Sequence, residues 1–124
     1  MSRPKAFICS QFSPTPTSTR EENVERARKF CRLAFGLGFN PFAPHLFSPQ
    51  FLDDTKQEER QAGIDMGIQI LKECQKVLVY VLDGFISPEM KIEIDEARFQ
   101  GILVEFYKVT FRGNILGRIK NPQA

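Results

Sequence analysis

Lys76-Val77-Leu78-Val79-Tyr80-Val81-Leu82, continuing as Asp83-Gly84-Phe85-Ile86-Ser87-Pro88-Glu89-Met90-Lys91-Ile92-Glu93-Ile94-Asp95-Glu96-Ala97, is the stretch whose reading decides the fold. Its opening run is short, apolar and rich in valine, the pattern of a strand buried on both faces, as in parallel sheets. Gly84 permits a sharp turn after Asp83. Ser87 can cap a helix with Pro88 at its first position, and Met90, Ile94 and Ala97 then recur on one helical face until Gly101 closes it. Glu93 falls in the second turn of that helix, over the strand ends. Open α/β sheets keep their ligands there.

Outward from this unit, strand and helix patterns alternate. Ala6 to Cys9 is a first strand, followed by a loop from Ser10 to Arg20 dense in Ser, Thr and Pro. A helix is expected to begin near Arg20 to Asn23, with Val24, Ala27, Cys31 and Ala34 or Phe35 on its apolar face, and to stop at Gly36 and Gly38. Phe39 to Ala43 is a second strand that Pro41 and Pro44 confine to an edge or make very short. After a loop from His45 to Leu52, Asp53 or Asp54 can cap a long helix reaching about Cys74. Ile64, Ile68 and Leu71 form its apolar line, and Gly63 and Gly67 leave room for close backbone approach. Ile102 to Tyr107 is the fourth strand. Val109 to Phe111 is expected to be a short strand, and the basic remainder of 108–124 a loosely held tail. The pattern predicts an α/β fold, a doubly wound, flavodoxin-like parallel sheet of four to five strands flanked by helices, as one domain over 1–124.

Composition narrows the function classes. A chain of 124 residues, 42% hydrophobic, has enough apolar content for one core. No apolar stretch reaches membrane-spanning length, and the N-terminus lacks the apolar centre of a signal peptide, so the expected location is the cytoplasm, with no membrane partner. The net charge of +2, with acids and bases evenly interleaved, argues against nucleic acid as a partner. Cys9, Cys31 and Cys74 are widely spaced and form no metal pattern with the lone His45, so no metal and no cofactor are expected.

Four segments together carry a family resemblance. Ala6-Phe7-Ile8-Cys9-Ser10, Asn23-Val24-Glu25-Arg26-Ala27, Pro41-Phe42-Ala43-Pro44-His45, and Asp83 through Glu93-Ile94-Asp95-Glu96-Ala97 with Gly101 resemble the nucleoside 2-deoxyribosyltransferase superfamily. The similarity is greatest to its small single-domain branch of bacteria and phages, related to the deoxynucleoside-monophosphate N-glycosidases, and spans roughly Ala6 to Tyr107. It implies cleavage or transfer at the N-glycosidic bond of a deoxynucleoside or its 5'-monophosphate. Glu93 stands at the position of the glutamate that attacks the anomeric carbon, and Asp65 at that of the acid that helps the base leave, with Glu58, Glu59 and Asp83 as competitors. The resemblance also places Ser10, Gln11, Phe12, Arg20, His45, Asp83, Ser87 and Met90 around a nucleoside or nucleotide, and implies a homo-oligomer.

Each of these residues has a plainer reading. Glu89, Glu93 and Glu96 recur at helical spacing and can form one solvated acidic face. Ser87 can be a helix cap with no ligand. A serine there also suits a 5'-phosphate, because a hydroxyl and helix N–H groups attract an anion that a carboxylate would repel. Ser13, Thr15, Thr17, Ser18, Thr19 and Arg20 offer phosphate-compatible donors on what is otherwise a polar connection. Phe12, Phe47 and Phe51 can sandwich a base or belong to the core. The chain departs from the family pattern twice: Phe12 replaces a hydroxyl aimed at the nucleophile, and Ser87-Pro88-Glu89-Met90 replaces a glycine-containing turn. A noncatalytic nucleotide-binding domain of the same fold, and an interaction module using exposed phenylalanines, stay open on sequence grounds.

Overall fold

The computed structural model describes residues 2–123, so the expected domain reaches one residue beyond them at each end, at Met1 and Ala124. The elements are β1 (Lys5–Cys9), α1 (Arg20–Gly36), β2 (Asn40–Phe42), two 3₁₀ turns (Pro44–Leu46 and Ser48–Gln50), α2 (Gln57–Leu71), β3 (Lys76–Leu82), α3 (Pro88–Phe99), β4 (Leu103–Val109) and β5 (Ile115–Ile119). The sheet order is β2-β1-β3-β4-β5; the first four strands are parallel, and β5 is antiparallel to β4. This is the doubly wound, flavodoxin-like arrangement, with its switch point between β1 and β3.

Period-two alternation distributes the core to both faces of the sheet. Phe7, Cys9, Val77, Val79 and Val81 face Leu71 of α2 and Met90, Ile94 and Ala97 of α3. Ala6, Ile8, Leu78 and Tyr80 face Ala27, Phe30 and Ala34 of α1. Residues Val77 to Val81 are all buried, which is why the run shows no polar alternation. Each such side chain taken from water contributes roughly 1.5–3 kcal/mol before the entropy of ordering it is subtracted.

Helix starts follow local chemistry where a cap exists. Thr19 accepts from Glu22 N while the Glu22 carboxylate accepts from Thr19 N, a reciprocal capping box that fixes the start of α1. Ser87 Oγ accepts from Met90 N at 3.2 Å, with Pro88 at the first helical position of α3. In α2 the expected cap fails. Asp53 spends its carboxylate on Thr55, accepting from the backbone N–H at 3.0 Å and the hydroxyl at 2.6 Å, and the helix begins only at Gln57. α1 also buries a different line from the expected one: Phe30 lies in the core and Phe35 is exposed, because Asn23, Ala27, Phe30 and Ala34 share the face toward the sheet.

The C-terminal segment differs most. β4 continues through Val109, residues 110–114 turn, and the last strand is Ile115–Ile119 rather than Val109 to Phe111. Its surroundings hold it. Arg26 Nη1 donates to the Phe111 carbonyl at 2.9 Å, Lys29 Nζ to Asn114 Oδ1 at 2.6 Å, and Glu105 joins Lys76 and Arg118 at 3.3 and 3.2 Å. Cross-strand and cross-element partners of this kind have no local sequence signature.

Candidate active site

A cleft opens at the carboxyl ends of β1 and β3, on the α2 and α3 side of the sheet. Ser10, the first residue after β1, forms part of its floor, and α3 supplies Ser87, Glu89 and Glu93. The wall opposite is built from the 3₁₀ turns and α2. Glu59, Gly63 and Gly67, four residues apart, place one face of α2 against the turns. A Cβ on Gly63 would stand 3.1 Å from Ser48 Oγ, so its missing side chain eases that approach, whereas one on Gly67 would make ordinary contact with Pro44 Cβ at 3.5 Å.

Two buried polar atoms at this cleft lack a hydrogen-bond partner: Glu93 Oε1 and Ser10 Oγ. Glu93 is 9% exposed, and its burial, with a further contribution from the Glu89 charge, pushes the carboxyl up to about 8 although the Cys9 thiol beside it partly opposes the shift. The Cys9 thiol lies 3.8 Å from the Met90 carbonyl and is itself pushed well above the usual thiol range, mainly by burial. It is therefore a neutral neighbour and not a nucleophile. A buried carboxyl oxygen without a donor is costly to the fold and becomes useful when a ligand supplies positive charge or a hydroxyl.

His45 and Phe12 form the apolar side. The imidazole stacks on the Phe12 ring at 4.7 Å between centroids and 17° between planes, and its Nε2 lies 2.7 Å from the Ser10 carbonyl. Burial lowers His45 to about 4, against opposing contributions from the Ser10 bond and the Glu89 charge, so the ring is neutral at physiological pH. A neutral ring against a carbonyl donates through Nε2. Nδ1 is left as an acceptor.

Two ion pairs border the mouth. Arg20 joins Asp54 at 3.0 Å and lies over the Phe12 ring at 5.1 Å; Arg60 of α2 joins Glu89 of α3. Asp54, Arg60 and Glu89 line the cleft, whereas Arg20 reaches it only through these partners.

Of the sequence-predicted residues, Ser10, Phe12, His45, Ser87 and Glu93 meet in one cleft. Four do not. Asp65 is exposed and accepts from Gln61 Nε2 at 2.9 Å; two residues beyond Gly63, it lies about 200° around the helix from the cleft face. Gln11 faces a separate small cavity on the α1 side, with Arg26 and Tyr80, because Asn23 ties the loop toward α1 through the Phe12 and Ser13 carbonyls at 2.8 and 3.2 Å. Asp83 is exposed at a turn with φ of 53°, and Met90 is 1% exposed within the core. Among the competitors for the acid position, Glu58 is exposed and only Glu59 lines the cleft. Asp54 and Arg60 were missed by sequence reasoning, since only the phase of α2 and the path of the preceding turn bring them in.

A family model described as a domain of unknown function (DUF7768) matches residues 4–107. The chain belongs to that family. A comparison with curated proteins finds no match for this DUF7768 domain. Among solved structures, it is similar to a 2-deoxyribosyltransferase from the psychrotolerant bacterium Bacillus psychrosaccharolyticus, with a TM-score of 0.68 and 16% identity over 86% of this chain and 73% of that one. It is also similar to the 2-deoxyribosyltransferase of Leishmania mexicana, with a TM-score of 0.52 and 14% identity over 86% of this chain and 65% of that one. At these identities the likeness establishes the fold of the DUF7768 domain. Among the described residues, no helix is long and apolar enough to cross a membrane.

Proposed function

We propose that the protein cleaves or transfers at the N-glycosidic bond of a deoxynucleoside or deoxynucleoside 5'-monophosphate, with Glu93 as nucleophile. The observation that carries this is the buried Glu93 carboxyl, whose Oε1 has no hydrogen-bond partner, in a cleft it shares with Ser10, Ser87 and His45. Solved structures of the same fold are 2-deoxyribosyltransferases, one of them described as a biocatalyst for nucleoside synthesis, which supports the substrate class.

In this reading one Glu93 oxygen attacks C1' of the sugar as the C1'–N bond breaks, its electron pair leaving with the base. A carboxyl group supplies the proton the departing nitrogen needs, and Glu59 is the α2 acid that lines the cleft. Water or a second base then attacks C1', and Glu93 departs as carboxylate. The transition state carries positive charge on the sugar, which an adjacent carboxylate in a water-poor site stabilises more strongly than water would. With its pKa at about 8, about a tenth of Glu93 is ionised at pH 7, so turnover is expected to rise with pH toward 8.

That same protonated resting state favours a second reading, a domain that binds nucleotides without cleaving them. Chromatographic detection of free base after incubation with the common deoxynucleosides and their 5'-monophosphates separates the two. Base release that Glu93→Gln abolishes supports the enzyme; nucleotide binding with no base release from any of them overturns it.

A further inference from the structure

The charge arrangement at the mouth of the cleft deepens the proposed function, and rests on it, by deciding between its two substrate classes. We propose that Glu89, held in place by Arg60, is the specificity-determining residue of this site, and that it excludes a 5'-phosphate and admits the neutral nucleoside.

Three observations carry this. First, the cleft is lined by the carboxyl side chains of Asp54, Glu59 and Glu89, and by Glu93, which is largely protonated at neutral pH, against one guanidinium, that of Arg60. That guanidinium is paired with Glu89 through Nη2, and the nearby Arg20 with Asp54 through both terminal nitrogens, which leaves the buried Arg20 Nε as the donor without a partner. Second, the N-terminus of α3 makes a poor anion cradle. Pro88 at the first position has no N–H, the Met90 N–H is bonded to Ser87 Oγ at 3.2 Å, and the Lys91 N–H is bonded to the Ser87 carbonyl at 2.9 Å. The Glu89 N–H and the Ser87 hydroxyl remain, beneath a carboxylate from the same turn. Third, the Glu89 charge reaches into the site: its side chain is 25% exposed, it lines the cleft, and it acts electrostatically on both Glu93 and His45. A phosphate here would meet that charge at low effective dielectric or would have to take Arg60 from it, leaving Glu89 unpaired. The Ser87 oxygen that looked suited to a phosphate from sequence alone accepts the cap bond from Met90 N–H, so the serine offers an anion a single hydroxyl donor beside the Glu89 carboxylate.

Calorimetric titration of the Glu93→Gln protein with the common deoxynucleosides and their 5'-monophosphates tests this without turnover. For the base that binds best, the monophosphate is expected to bind at least tenfold more weakly than its nucleoside, by about the Coulomb effect of one added carboxylate at an effective dielectric of 20 or more. Glu89→Gln in the same background is expected to narrow that gap by at least about fivefold, and added salt to narrow it further. A monophosphate that binds as well as its nucleoside overturns the filter. A gap unchanged in Glu89→Gln overturns the role of Glu89. If wild-type protein releases base with the monophosphate preferred, this inference fails while the proposed function stands; if nothing binds and no base is released, both fall.

Discussion

Replacing Glu93 by glutamine is expected to stabilise the folded protein at neutral pH and to do so in a pH-dependent way. The folded state holds the Glu93 proton up to about pH 8, whereas an ordinary glutamate loses it near 4.5. Below the unfolded value both states are protonated and ionisation costs nothing. Between the two values the unfolded chain releases its proton and the folded chain does not, so stability falls by about 1.4 kcal/mol per pH unit. At pH 7 the accumulated loss is about 3 kcal/mol, and above pH 8 the full loss of roughly 5 kcal/mol remains. Glutamine has no such titration, but it buries an amide in place of a neutral carboxyl, at a cost of about 1–2 kcal/mol if unpartnered. The net gain at pH 7 is then about 2 kcal/mol, or roughly 6–10 °C in Tm for a chain of this size. At pH 5 the titration term is below about 1 kcal/mol, so the variant should there equal the parent or melt lower. Thermal unfolding of both proteins between pH 5 and 8.5 reads the difference directly. A Tm difference that stays flat across that range would show that Glu93 titrates normally, and the argument from its burial would fail.

Other consequences of the structure are testable separately. The kcat/KM for base release should rise with pH to a plateau above about 8, following ionisation of Glu93 in the free protein; a profile flat from pH 6 to 9 would refute that assignment. Gly67→Ala should be neutral or stabilising by up to about 1 kcal/mol, because its Cβ makes ordinary contact and glycine costs helix stability. Gly63→Ala, whose Cβ would crowd Ser48, should forfeit that gain, and the difference is measurable by urea unfolding. Ser87→Ala should cost about 1 kcal/mol by the same assay through loss of the α3 cap. Light scattering should find the protein self-associated, as the family resemblance implies.

The parts legible in the sequence are those set by local chemistry. The valine run of β3, the Ser87-Pro88 start of α3 and the proline-limited β2 each follow from a few adjacent residues, and together they fixed the parallel sheet. Glu93, Ser10, His45 and Ser87 could be grouped because each lies just after a strand end or early in a helix that follows one. Asp65 could not be placed that way. Whether Asp65 or Glu59 faces the cleft depends on how α2 is rotated, and that is set by Gly63 and Gly67 seating on Ser48 and Pro44, contacts between segments distant in sequence. Gln11 was lost to the opposite side because Asn23 captures the loop. β5 forms on hydrogen bonds and an ion pair with β4, and the turn before it is tied to α1 by the Lys29–Asn114 bond, partners that residues 115–119 do not announce.

Rapid-quench mass spectrometry of the protein mixed with its best deoxynucleoside addresses the central claim most directly. The expected result is a mass gain of one deoxyribosyl group, mapped to the peptide containing Glu93 and absent in Glu93→Gln. Base release that continues undiminished in Glu93→Gln, or an adduct mapped to another residue, would contradict it.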